Sequence, residues 1–118
     1  MTTQEVANRL VSLCREGKVQ QAGEELYSED INSIEPAHSQ MSQSAKGKKA
    51  VSEKGQQFAM AIEERHGGSF SDPIVCGNHF SVSMMLDATI KGAGRQKLEE
   101  ICVYEVKDGK IVNEQFFF

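Results

Sequence analysis

The apolar positions along this chain follow two different periods. In the first half they recur three and four residues apart, as on the buried stripe of a helix. Val6, Leu10, Leu13 and Cys14 mark one such stripe, opened by Thr2 and Glu5 at the spacing of a capping box and closed by Gly17. Val19, Ala22, Leu26 and Tyr27 mark a second, shorter helix. Ala50, Val51, Phe58, Ala59 and Ile62 predict a third helix over residues 48–66, ended by Gly67 and Gly68 and weakened or closely packed at Gly55. Between the second and third helices a short strand is expected over 31–35, stopped by Pro36. Residues 37–47 are polar and predict a loop, either a mobile lid or an ordinary surface connection.

From Phe70 onward the period changes to two. A strand is expected over 70–76, with Pro73 marking an edge or an irregular start. Phe80, Val82, Met84 and Leu86 alternate through the next, which extends toward Lys91 before a turn at 92–95. Residues 96–106 and 111–118 complete an antiparallel meander around the turn Lys107-Asp108-Gly109-Lys110. Helices first and a meander last give an α+β class, and a curved, mostly antiparallel sheet wrapped on the helices forms a cone with a pocket inside.

A chain of 118 residues fits one domain, taken here as 1–118. The net charge of −4 argues against a nucleic-acid partner, which would demand a basic face. No apolar run reaches the ~18 residues a membrane span needs, and no secretory signal is visible at the start. Cys14, Cys76 and Cys102 are odd in number and widely spaced, which favours free thiols and a cytoplasmic location. His38, His66 and His79 share no metal-ligand spacing, and Gly92-Ala93-Gly94 lies between strands rather than before a helix. No metal and no cofactor is therefore expected.

Three segments carry a resemblance: ELYSEDINSIEP, a helix end running into a strand that stops at an acid–proline pair; KGKKAV at the start of the third helix; and VYEVKDGKIVNEQFFF, a strand–turn–strand with DGKI at the turn. In this order the chain resembles the nuclear transport factor 2-like superfamily, in its SnoaL-like branch. The resemblance covers nearly the whole chain and implies a cone-shaped α+β fold, often dimeric through the outer sheet face. The superfamily includes ketosteroid isomerase, scytalone dehydratase, limonene epoxide hydrolase, polyketide cyclases and non-catalytic binding modules, so fold alone does not fix function.

Aligning the DGKI turn with that of ketosteroid isomerase directs Val112, Glu114, Phe116 and Phe118 inward, and Leu98, Glu100, Cys102 and Tyr104 likewise. The expected ligand pocket is then formed by Tyr27, Phe58, Phe80, Val82, Met84, Glu100, Cys102, Tyr104, Phe116 and Phe118. Ile111, Asn113, Gln115 and Phe117 face outward on the same alignment, and Ile101, Val103 and Phe117 become candidates for a homodimer surface. Glu114 is either a carboxylate among aromatic rings, with a raised pKa suited to acid–base work, or an edge residue reaching water. Glu35 precedes Pro36 where ketosteroid isomerase has its catalytic base, and is otherwise a solvent-facing acid. His38 follows closely as a third candidate acid or base. The isomerase's oxyanion donors, however, correspond to positions near Leu10 and Cys102, which donate nothing and weakly. Ketosteroid isomerase activity is therefore excluded. The expectation is a small-molecule binding protein of the isomerase, cyclase or dehydratase kind using carboxylates, or a non-catalytic ligand-binding or dimerisation module.

Overall fold

The computed structural model describes residues 1–118. Helix α1 (Thr3–Arg15) begins where Thr2 and Glu5 cap each other: Glu5 N donates to Thr2 Oγ1 at 3.1 Å and Thr2 N donates to Glu5 Oε1 at 2.9 Å. It ends in a left-handed Gly17 (φ 77°), with Lys18 N donating to Leu13 O and Gly17 N to Cys14 O. Helix α2 (Val19–Leu26) runs without a connecting loop into β1 (Tyr27–Ile34). The short β2 (Ala45–Lys46) pairs antiparallel with β1 and leads to α3 (Lys48–Ala61). The remaining strands are β3 (Ile62–Phe70), β4 (Ile74–Cys76), β5 (His79–Ile90), β6 (Gly94–Lys107) and β7 (Lys110–Phe117).

The seven strands form one curved, unclosed sheet in the order β2-β1-β7-β6-β5-β3, with β4 also on β5. All pairings are antiparallel except β1 on β7. The β6–β7 hairpin closes over Asp108 (φ 52°) and Gly109 (φ 75°), both left-handed as a tight two-residue turn requires. Helix α1 supplies the largest share of the core: Val6, Ala7, Leu10, Val11 and Leu13 pack against Leu26, Ile31, Phe80, Val82, Val106 and Ile111. A smaller cluster of Leu86, Ala88 and Ile90 packs beneath Phe58, Ala61 and Ile62 of α3 and β3. No helix is long and apolar enough to cross a membrane.

Three expectations from the sequence are corrected. The third helix ends at Ala61, and residues 62–70 form β3 instead. The cause is tertiary: the far half of the twelve-residue β5 offers a free edge, Ile62 pairs with Ile90, and Lys91 N donates to Ala61 O at 2.8 Å. Gly67 and Gly68 are thus strand residues beside a bulge, and His66 bonds Thr89 Oγ1 across strands at 2.8 Å rather than capping a helix. The expected 70–76 strand is two segments, parted at residues 71–73. Finally, the alternation in β7 shifts at a bulge. Val106 pairs with Ile111 while Glu105 pairs with Asn113, so Val112 is the extra residue and Ile111, not Val112, points into the core.

Candidate functional site

Strand register stacks the inward side chains in rows across the concave face. Ser33, Glu114, Tyr104 and Phe80 are successive partners across β1, β7, β6 and β5. The next inward row runs Phe116, Cys102, Val82, and the next Glu100, Met84, Phe70. Phe80 and Tyr104 stack with ring centroids 4.7 Å apart. Together with Val82 and Cys102 they are buried and packed into the core, so the deep end of the expected pocket is filled by side chains.

Glu114 is the one acidic residue in that interior, 3% exposed. Both its oxygens are engaged: Tyr27 Oη donates to Oε2 at 2.5 Å and Ser33 Oγ donates to Oε1 at 2.8 Å. Burial raises its pKa above the ordinary carboxylate value, against the pull of these two hydrogen bonds and of Lys54. Burial, and then the charge of Glu114, pushes the Tyr27 phenol well above its ordinary range, so Tyr27 remains a donor.

Glu35, just past the end of β1, forms an ion pair with Lys54 of α3 at 2.7 Å. Both side chains are largely buried, at 9% and 15% exposure. The Lys54 ammonium also lies 5.4 Å from the centroid of the Phe116 ring, within cation–π range. Glu100 lies on the same face and has no basic partner among the ion pairs. The Cys102 thiol donates to its Oε1 at 3.6 Å. Burial first, and the nearby charge of Glu35 second, push its pKa up to about 7. The Cys102 thiol is itself driven far up by burial and by Glu100, and Cys14 is pushed to about 11, so neither is a thiolate nucleophile.

The fold thus gathers Glu35, Glu100, Glu114, Lys54, Tyr27 and Phe116 on one concave face. His38 does not join them: it is exposed and meets the exposed Phe118 edge-on at 5.4 Å. Phe58 sits apart, with the second core cluster under α3. No three His, Cys, Asp or Glu residues are grouped to hold a metal ion. Two open surface grooves, of about 400 and 490 Å³, lie elsewhere, between the end of α1 and the residues around the β3–β4 bend.

Lys54 is the residue that sequence reasoning missed. Its signal is nonetheless present: it falls three residues after Val51 and four before Phe58, a charge inside the apolar stripe of α3.

Comparison with known proteins agrees with this architecture. The sequence profile of the SnoaL-like domain matches residues 1–118. The chain belongs to the SnoaL-like domain family. A candidate SnoaL-like polyketide cyclase from Mesorhizobium loti, whose name also carries the words carbohydrate phosphatase, is 34% identical over all of both chains, with a TM-score of 0.92. A Mycobacterium tuberculosis protein solved with estradiol-17β-hemisuccinate shares the fold at 14% identity and a TM-score of 0.72, over 100% of this chain and 95% of that one. So does a Catenulispora acidiphila protein of ketosteroid isomerase-like fold solved with trimethylamine, at 15% identity and a TM-score of 0.73, over 97% and 85%. No curated protein matches the sequence.

Proposed function

We propose that this SnoaL-like domain binds a small, largely apolar molecule carrying an oxygen function on the concave face, and acts on it by carboxylate acid–base chemistry without a cofactor. The reaction class is an isomerisation, cyclisation or dehydration. The observation that carries the reading is the convergence of Glu35, Glu100 and Glu114 with a single ammonium, Lys54, on one apolar face. Glu100, with a pKa of about 7, holds and releases a proton near neutrality, which is what a general acid or base needs. Glu35 stands at the strand end beside it as the second carboxylate, its charge balanced by Lys54. Glu114, held on both oxygens, stabilises developing positive charge or relays a proton through Tyr27. The reading does not include ketosteroid isomerisation, since the position the resemblance matches to one of the isomerase's donors falls near Leu10, a buried hydrocarbon with no hydrogen to donate to an enolate.

Carboxyl-carbon NMR titration tests this. The expected result is a Glu100 midpoint near 7 that moves when estradiol-17β-hemisuccinate, the ligand of the Mycobacterium tuberculosis relative, is added. Ordinary midpoints for both Glu100 and Glu114 overturn the acid–base reading and leave a binding module.

A second reading, dimerisation, is favoured by a separate observation. Ile101 and Phe117 stand directly opposite each other on the outer face of β6 and β7, 53% and 48% exposed, with Val103 half-buried nearby. Such a paired apolar patch suits a second copy of the chain. Ile101→Asp is expected to convert dimers to monomers in sedimentation, and a wild-type chain that sediments as a monomer refutes the reading. Three free cysteines fit a reducing cytoplasm.

A further inference from the structure

The loop joining β1 to β2, residues 35–44, is built to hold its own shape. Ser39 N donates to Pro36 O at 3.0 Å, Ser39 Oγ to Ser42 O at 2.7 Å, and Gln43 Nε2 to Ser39 O at 3.2 Å. Its base is pinned where Glu35 N donates to Ser44 Oγ at 2.9 Å. Beyond that, two ties join it to the rest of the molecule, one at the concave face and one at the exposed C-terminal residue. Lys54 Nζ donates to Gln43 O at 3.3 Å while it also holds Glu35 at 2.7 Å, and His38 rests on the edge of Phe118.

One ammonium therefore serves three groups: a carboxylate on the end of β1, a carbonyl on the loop, and the ring of Phe116. Its side chain is mostly buried, so its bond to Glu35 is not discounted by bulk water as that of a surface lysine is, while its bond to the Gln43 carbonyl lies at the exposed edge. Helix α3 carries it on a fixed scaffold, whereas the loop brings no large buried side chain of its own: residues 37–44 include no buried position. Loops with few buried apolar contacts open locally at low cost, and a single charged contact then controls how often.

We propose that Lys54 is a latch: its ammonium holds the 35–44 loop across the concave face, with Glu35 as its counter-ion, and the loop opens when the ammonium is withdrawn. The proposal deepens the ligand-site reading and rests on it for its purpose, access to the face. A ligand oxygen that takes up the ammonium frees the loop and at the same time uncovers Glu35. The specificity consequence is that a ligand carrying an acidic or strongly accepting oxygen is admitted in preference to a plain hydrocarbon.

Hydrogen exchange on the ligand-free protein decides the latch. Lys54→Met is expected to speed the local, denaturant-independent exchange of residues 37–44 by about tenfold, whereas the α1 amides, which exchange through global unfolding, speed up only as far as the lost stability dictates. Lys54→Arg, which keeps a cation and its donors, retains most of the protection. Unchanged exchange in K54M, or equal loosening in K54M and K54R, overturns the proposal. Estradiol-17β-hemisuccinate is the second probe: saturating the wild type is expected to speed exchange in residues 37–44 while leaving K54M unchanged, and unchanged exchange in the ligand-bound wild type refutes release of the loop by the ligand. If that probe binds neither protein, the ligand reading for it fails, while the exchange result still decides the latch.

Discussion

Ser33 and Glu114 are direct partners on the parallel strands β1 and β7, and the Ser33 hydroxyl donates 2.8 Å to Glu114 Oε1. The bond ties the only parallel pairing of the sheet through its side chains as well as its backbone. With Tyr27 on the other oxygen, β1 supplies both donors to one buried carboxylate. A carboxylate taken out of water is tolerable only when so satisfied, and no buried side-chain nitrogen or oxygen in the molecule lacks a partner.

Removing a donor should therefore cost more than the bond itself. Tyr27→Phe leaves Glu114 Oε2 buried and unpaired, with an expected loss of about 1–3 kcal/mol at neutral pH. It also raises the Glu114 pKa further, since that hydrogen bond is the largest influence holding it down. Urea unfolding at pH 5 and pH 8 checks both parts: the loss should be greater at pH 8. A loss independent of pH means that the Tyr27 hydroxyl does not favour the charged form of Glu114 over the neutral one.

The Lys54–Glu35 pair should be strongly coupled. Either single change, Lys54→Met or Glu35→Gln, strands a largely buried charge or donor and is expected to cost about 2 kcal/mol, the scale of a lost hydrogen bond to a charged group. The double variant should lose much less than the two losses combined, giving a coupling of about 1–3 kcal/mol in a double-mutant cycle. Additive losses would show that the two side chains act independently despite their 2.7 Å contact.

The parts of this molecule legible in the sequence are those set by local chemistry. The α1 caps, the Asp108-Gly109 turn and the alternation of β5 and β6 follow from neighbours within a few residues, and the DGKI turn and the strand around it carried the family resemblance. What was hidden depends on distant partners. Residues 62–66 have helical character and become strand only because Ile90 and its neighbours wait on β5. The bulge at Val112 cannot be read from alternation, because both faces of β7 are apolar. Around the site, Glu35 stood out through the family resemblance, as the acid before Pro36, and Glu114 as an acid among phenylalanines, but their partners Lys54 and Ser33, 19 and 81 residues away, are set by the fold alone.

The two glycines of β3 should behave differently. A methyl group on Gly68 would stand 3.0 Å from both the Met85 carbonyl oxygen and the Arg65 guanidinium, so the paired backbone must give by a few tenths of an ångström, while Gly67 has open space. Gly68→Ala is expected to destabilise by about 1–3 kcal/mol. Gly67→Ala should be within about 0.5 kcal/mol of the wild type, as surface changes usually are. Thermal unfolding of both variants compares them directly, and equal stabilities would refute the close backbone approach of β3 to β5.

Glu100 gives the protein a predictable pH dependence. Its pKa in the folded chain, about 7, lies above the ordinary 4.5. Between those values the folded state holds a proton that the unfolded chain has released, so stability falls as pH rises. The full contribution is present below about pH 4.5 and is lost as pH passes through about 7. The whole shift corresponds to about 3 kcal/mol; partial contact with water reduces the expected effect to about 1–2 kcal/mol. Glu100→Gln, neutral at every pH, removes the charged form and its cost. It should unfold at about the wild-type temperature at pH 4.5 and about 4–8 °C higher at pH 8. Parallel curves for the two proteins across this window would place the Glu100 carboxylate in free contact with water, and with that the strongest acid–base candidate of the site would be withdrawn.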